Sequence, residues 1–229
     1  MKLVLFDIDG TLLWSDGAGR RAMTAALVEL FGGAGPTDYR YDGKTDPQIV
    51  RELMRAAGHD DATIDARMER LVERYLMGLE RELGNGAHTR VFPGVLPLLD
   101  ELEARDDVVL GLLTGNFHAG AALKLRSAGL DIARFRVGAF GSDHHHRPAL
   151  PAIAQRRARE VLGLDLRGRD LVVVGDTPAD IECSRAVDAS AIAVATGRYS
   201  VDELAAHEPL AVFATLADTA AVTRVILDA

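Results

Sequence analysis

An α/β architecture, a doubly wound parallel sheet with an inserted all-helical segment, is predicted by three features of the sequence. Short runs dense in Val, Leu and Ile recur along the chain, as in strands buried on both faces of a parallel sheet. From residue 91 onward, helical periodicities separate these runs, and strand–helix alternation is how right-handed crossovers build such a sheet. The stretch 17–87 departs from this pattern, with helix following helix and no convincing strand.

In chain order, Leu3–Phe6 is the first strand, followed by a hinge at Trp14–Gly17. A helix carrying Leu27, Leu30 and Phe31 ends at Gly32-Gly33. The next starts with Asp46 as N-cap and Pro47 at its first position, carries Ile49, Val50, Leu53 and Met54, and stops at Gly58. A third carries Ile64, Met68, Leu71, Val72, Tyr75, Leu76 and Leu79 and ends near Gly84. The chain returns through a second hinge, Ala87–Gly94, containing Pro93-Gly94. Val95, Leu98, Leu99 and Leu102 then mark a helix before the strand Val108–Leu113. Phe135–Phe140 is a weaker strand, and Leu150, Ile153, Ala154, Val161 and Leu162 mark the following helix. Leu171–Val174 and Ala191–Val194 are strands, with Ala211–Phe213 a weaker one. The division is 1–16 with 88–229 as an α/β core, and 17–87 as a helical insertion.

With 48% hydrophobic and 26% charged residues in 229, wholesale disorder is excluded and a sizeable core is available. A net charge of -8 argues against a nucleic-acid-binding surface, but not against an anionic substrate, because a bound divalent metal reverses the sign of an acidic site. Cys183 is the only cysteine, so an intramolecular disulfide is impossible and a reducing compartment is expected. Only four apolar residues, Leu3 to Phe6, follow Lys2, too few for a secretory signal, and no apolar run approaches the about 18 residues that cross a bilayer. The expectation is a soluble cytoplasmic protein with no membrane partner. The sequence carries no signal for an oligomeric state.

Three polar clusters sit where strands end: Asp7, Asp9, Gly10 and Thr11; Thr114, Gly115 and Asn116; Gly175, Asp176 and Asp180. In an open α/β sheet such ends converge on one crevice, so the clusters form one candidate site. Any one of them alone reads equally well as loop residues and helix caps. Asp7-Ile8-Asp9-Gly10-Thr11 resembles the opening DxDGT motif of the haloacid dehalogenase-like (HAD) superfamily. Leu112 to Asn116 resembles its second motif, and Gly175 to Asp180 its acidic fourth motif. The helical insertion is similar to the type 1 cap of that family, so the likeness spans the chain, and the nearest subgroup is that of phosphoglycolate phosphatase-like hydrolases.

The resemblance implies a Mg²⁺-dependent hydrolase of a small phosphorylated metabolite. Asp7 would be the nucleophile that forms an aspartyl-phosphate. Asp9 would protonate the leaving group and then activate water. Asp176, the Asp7 carboxylate and the Asp9 carbonyl would hold Mg²⁺, with Asp180 as an outer or water-mediated partner. Thr114, with N–H groups around Gly115 and Asn116 where a helix begins, would bind phosphoryl oxygens. The third motif departs from the family pattern: its usual Lys is replaced by Arg147, before Pro148. Lys124 is the rival, but it reads as a solvated residue of the helix after the second motif.

His144–His146 read as a polar loop near the pocket mouth, Cys183 as a small core residue, and Arg156, Arg157 and Arg159 as a solvated helix face. Thr45 and Asp46 cap a helix, while Lys44 beside them is a candidate for touching substrate, since related hydrolases present this segment to the active site. A phosphomutase or a phosphonate-cleaving enzyme shares the same core motifs. A dehalogenase would need neither Asp9 nor a metal site. A receiver-like signalling domain also phosphorylates an Asp in a doubly wound sheet, but as a contiguous domain without a cap and on another strand.

Overall fold

The computed structural model describes residues 1–84 and 89–229. Six parallel strands form the main sheet: β1 (Lys2–Phe6), β4 (Val108–Thr114), β5 (Val137–Phe140), β6 (Leu171–Gly175), β7 (Ser190–Val194) and β8 (Ala211–Phe213). Their order is β5-β4-β1-β6-β7-β8. The chain winds outward from β1 through β4 to β5, then returns to β1's other side and winds out to β8. This reversal opens a crevice at the carboxyl ends of the central strands, the place where α/β sheets bind ligands.

Strand side chains alternate between the two faces. Val4 and Phe6 of β1 join Val172 and Val174 of β6 in a cluster with the helices α4 (Val95–Glu103), α5 (His118–Ser127) and α8 (Thr219–Asp228). Leu3, Leu5, Leu171 and Val173 face the opposite cluster, with α6 (Leu150–Leu162) and α7 (Pro178–Arg185). Both faces are thus covered, which is why these strands read as unbroken apolar runs. The two strands expected to be weaker, β5 and β8, lie at the edges.

Between β1 and β4 lie α1 (Ala18–Phe31), α2 (Asp46–Ala56) and α3 (Asp61–Gly84). They share a separate apolar cluster built on Met23, Leu27, Leu53, Met54, Leu71 and Tyr75. Two short strands were not expected: β2 (Leu13–Trp14) and β3 (Arg90–Val91) pair antiparallel, Leu13 opposite Val91, where the chain leaves and re-enters the core. Two residues each are too few for a period-2 pattern to emerge. Asp16 and Gly17 beside this ribbon have φ of 50° and 72°, a left-handed corner that turns the chain into α1. Ala87, where the second hinge was expected to begin, lies outside the described residues.

Three local expectations are corrected. Thr45, not Asp46, is the N-cap of α2: its Oγ1 accepts from the Gln48 N–H at 3.2 Å, which places Asp46 inside the first turn. Arg157 is not a freely solvated residue. It makes a two-pronged pair with Asp143 at 2.6 and 2.7 Å and donates to the Gly138 carbonyl, while Arg156 and Arg159 stay exposed. Lys124 is buried at 5% exposure instead of lying on the surface. Among the described residues, no helix is long and apolar enough to cross a membrane.

Candidate active site

Asp7 follows β1 directly, Thr114 closes β4 and Asp176 follows β6, so three neighbouring strands deliver the three clusters to one cavity of about 640 Å³. Its walls include Asp7, Asp9, Thr114, Asn116, Arg147 and Asp176 from the core. Gly17, Met23, Lys44, Asp46 and Tyr75 face them from the helical segment.

Carboxylate oxygens of Asp7, Asp176 and Asp180, all buried, approach within 4.8 Å of one another. Burial pushes the Asp7 carboxyl up to about 6; Arg147 opposes this, while Asp180 and Asp9 add to it. Burial, with Asp180 and Asp7, holds Asp176 well above the usual carboxylate range. Three acids crowded in low dielectric want a cation, and an all-oxygen donor set suits a hard divalent ion such as Mg²⁺. Glycine makes the packing around Asp176 feasible: a Cβ on Gly10 or Gly197 would stand 2.3 or 1.8 Å from its Oδ2. Thr11 Oγ1 donates to Asp176 Oδ1 at 3.1 Å. Asp180 is already committed, accepting from Arg147 Nη2 on Oδ1 and from the N–H and hydroxyl of Thr177 on Oδ2. Both of its carboxylate oxygens are thus engaged by protein donors.

The Asp9 carboxylate is held by a different set of partners. Its Oδ2 accepts from Lys124 Nζ at 2.6 Å and from Asn116 Nδ2 at 2.8 Å, and Ser15 Oγ donates to Oδ1 at 3.3 Å. Burial raises its proton affinity, but the Lys124 ammonium and these hydrogen bonds outweigh burial and hold the carboxyl below its ordinary value. Lys124 also donates to Asn116 Oδ1 at 2.6 Å, and Asn116 donates to Thr114 Oγ1 at 2.8 Å. The Asn116 amide is therefore spent on orienting Asp9, Thr114 and Lys124. Sequence reasoning missed this role of Lys124. The available signal was its spacing: Gly120, Ala121, Lys124 and Leu125 form the buried face of α5.

Arg147, 4% exposed, lies 3.4 Å from Asp7 Oδ1 and 2.5 Å from Asp180 Oδ1. It thus stands beside the first-motif carboxylate. Its Nε is buried with no hydrogen-bond partner, a donor suited to an entering oxygen. Cys183 is fully buried and its thiol is pushed up to about 12 by burial, in keeping with a core residue. The helix after the second motif begins later than expected, at His118, and the Phe117 N–H before it is taken by Asp46 Oδ2 at 2.8 Å.

The helical segment docks tightly here. Asp46 N donates to the Gly115 carbonyl at 2.7 Å, and Thr45 Oγ1 donates to the His145 carbonyl at 2.6 Å. The imidazoles of His144–His146 remain exposed beside this contact. A Cβ on Gly115 would stand 2.1 Å from the Lys44 carbonyl oxygen, so only glycine admits this approach. Burial pushes the Asp46 carboxyl up to about 6, against the pull of Lys124 and the Phe117 N–H. Lys44 lines the cavity, but its ammonium is bonded to Glu52 Oε2 at 2.7 Å and to the Tyr39 hydroxyl at 2.9 Å.

A family model for haloacid dehalogenase-like hydrolases matches residues 1–188. The chain belongs to the haloacid dehalogenase-like hydrolase family. A phosphoglycolate phosphatase of Synechococcus elongatus is 29% identical over 212 residues, covering 91% of both chains. Among solved structures, a hydrolase from Pseudomonas syringae has a TM-score of 0.74 at 22% identity, covering 98% of each chain. CbbY from Rhodobacter sphaeroides, solved with phosphate, has a TM-score of 0.70 at 18% identity, covering 95% of this chain and 96% of its own. These likenesses show that this HAD-like hydrolase shares their fold along its whole length.

Proposed function

We propose that this HAD-like hydrolase is a Mg²⁺-dependent phosphatase that cleaves a small phosphomonoester through an aspartyl-phosphate on Asp7. The observation that carries the reading is the division of labour between the two carboxylates of the first motif. Asp7 sits among acids with one buried arginine, and Asp9 two residues on is turned to a lysine and an amide.

In this reading an oxygen of Asp7 attacks phosphorus and the bond from phosphorus to the alcohol oxygen breaks. The alcohol leaves with the proton of Asp9, which then takes a proton from water as that water attacks the aspartyl-phosphate. Inorganic phosphate departs and the Asp7 carboxylate is restored. Asp9 is held as a carboxylate by Lys124, and an entering phosphate brings negative charge beside it and raises its proton affinity. The Arg147 guanidinium and the Thr114 hydroxyl are fixed in advance where charge on the phosphoryl oxygens develops. Mg²⁺, when bound by the carboxylates of Asp7 and Asp176 and the Asp9 carbonyl, with Asp180 outside, supplies charge neutralisation to those oxygens. The helical segment acts as a cap that excludes water and selects the alcohol portion.

The likeness to the phosphoglycolate phosphatase of Synechococcus makes small phosphorylated acids the first substrates to assay. The test is a panel of phosphomonoesters with a generic aryl phosphate, assayed with Mg²⁺ and with EDTA. Turnover with Mg²⁺ and its loss in EDTA are expected. Undiminished hydrolysis in EDTA contradicts the reading.

A further inference from the structure

Arg147 is reached through the loop 141–146, which runs on from the end of β5. Several bonds of this loop go to the site. The Gly141 N–H donates to the Asn116 carbonyl at 2.9 Å, Ser142 Oγ accepts from the His118 N–H at 2.8 Å, and the His145 carbonyl accepts from Thr45 Oγ1. A Cβ on Gly141 would stand 2.0 Å from the Gly115 carbonyl oxygen, so the loop leaves its strand pressed against the second motif.

The middle of the loop is held from outside the cavity. Asp143 accepts the Phe140 N–H on Oδ2 at 2.9 Å, and Arg157 grips both of its oxygens, at 2.6 and 2.7 Å. Arg157 Nη1 also donates to the Gly138 carbonyl of β5 at 2.7 Å. Since Arg157 belongs to α6, the helix that follows Arg147, one guanidinium joins the strand before the loop, the loop itself and the helix after it. Neither Asp143 nor Arg157 lines the cavity. Their side chains are 20% and 35% exposed, and an ion pair this open to solvent adds little to folding stability. Its two-pronged geometry, by contrast, fixes position and direction. Catalysis is sensitive to position, because misplacing a group by about 1 Å costs on the order of 10²-fold in rate.

We propose that Arg157 and Asp143 are positioning residues, which hold the loop 141–146 so that the Arg147 guanidinium stands beside Asp7, aligned with the transferring phosphoryl group. Neither touches substrate; both act through Arg147. The proposal rests on the phosphatase reading, in which Arg147 stabilises charge developing on the phosphoryl oxygens. Its test is a double-mutant cycle. Steady-state kinetics on an aryl phosphate with Mg²⁺ are measured for the wild type, Arg157→Ala, Arg147→Ala and the double variant, with Arg157→Lys and Asp143→Asn beside them.

Arg157→Ala is expected to lower kcat about 10- to 100-fold with KM nearly unchanged, because the displaced group acts on the transition state. Arg157→Lys should recover part of the rate, since the charge remains while the fork is lost. Asp143→Asn should lower kcat in the same sense. In the Arg147→Ala background, removing Arg157 is expected to cost less than about twofold, because the group it positions is already gone. Losses that multiply in the double variant would show that the pair acts independently of Arg147 and overturn the proposal. A rise in KM alone, or an unchanged kcat in Arg157→Ala, would overturn it too. If Arg157→Ala does not fold, Asp143→Asn, which keeps an acceptor for the Phe140 N–H, takes its place in the cycle with the same two outcomes. An active wild type with multiplying losses refutes this inference alone. A wild type inactive on every phosphomonoester with Mg²⁺ refutes the phosphatase reading with it.

Discussion

Lys124 and Arg147 bring one buried cation to each carboxylate of the first motif. Removing either leaves an acid without its partner, so both Arg147→Ala and Lys124→Ala are expected to lose roughly 10²–10³ in kcat, the scale of one electrostatic stabiliser. Arg147→Lys should keep part of the rate. Without Lys124 the chief force holding the Asp9 carboxyl down is gone, so its titration moves upward, a shift that carboxyl NMR on the variant can follow. Asp9→Asn keeps the shape and is expected to cost on the order of 10²–10⁴ in rate, read as kcat on an aryl phosphate. Lys124 was misread as a surface residue. A lysine in a helix is usually solvated, and only the small residues Gly120 and Ala121 on the same face marked that face as buried.

Most helices and strands long enough to show their period were readable, the last helix, Thr219–Asp228, being missed, and the ends of the central strands located the carboxylates. The short ribbon of Leu13–Trp14 with Arg90–Val91 and the docking of α2 on Gly115 were not, since both depend on contacts between segments distant in sequence. The same docking makes a testable element. Gly115→Ala would place a methyl 2.1 Å from the Lys44 carbonyl oxygen, so α2 must lift. A rise in KM of at least about tenfold is expected, with faster amide hydrogen exchange over 44–50 and 115–118 and little change in the central strands. Asp46→Ala removes the acceptor of the Phe117 N–H and should loosen the same two segments without touching the carboxylates around Asp7. Unaltered exchange at 44–50 in both variants would show that these contacts do not hold the segment down.

Stability and activity oppose one another in this molecule. An acid that holds its proton more tightly folded than unfolded makes the folded state lose stability as pH rises through that range. Asp7, pushed up to about 6 from 3.8 by burial, therefore destabilises the metal-free protein above about pH 6, and this cost is relieved as pH falls toward 4. Asp9 and Asp143, held below their ordinary values, act in the opposite sense and only at more acid pH. Asp7→Asn is accordingly expected to melt higher than the wild type at pH 7.5 in EDTA, while Mg²⁺ raises the melting temperature of the wild type and much less that of the variant. An Asp7→Asn protein less stable than the wild type in EDTA would contradict this balance of charge. The covalent step itself is tested most directly by trapping the enzyme during turnover of a phosphomonoester with Mg²⁺ and mapping the phosphorylated peptide by mass spectrometry. Phosphate on Asp7, absent from Asp7→Asn, is the predicted result; phosphate on a serine, histidine or cysteine instead would contradict it.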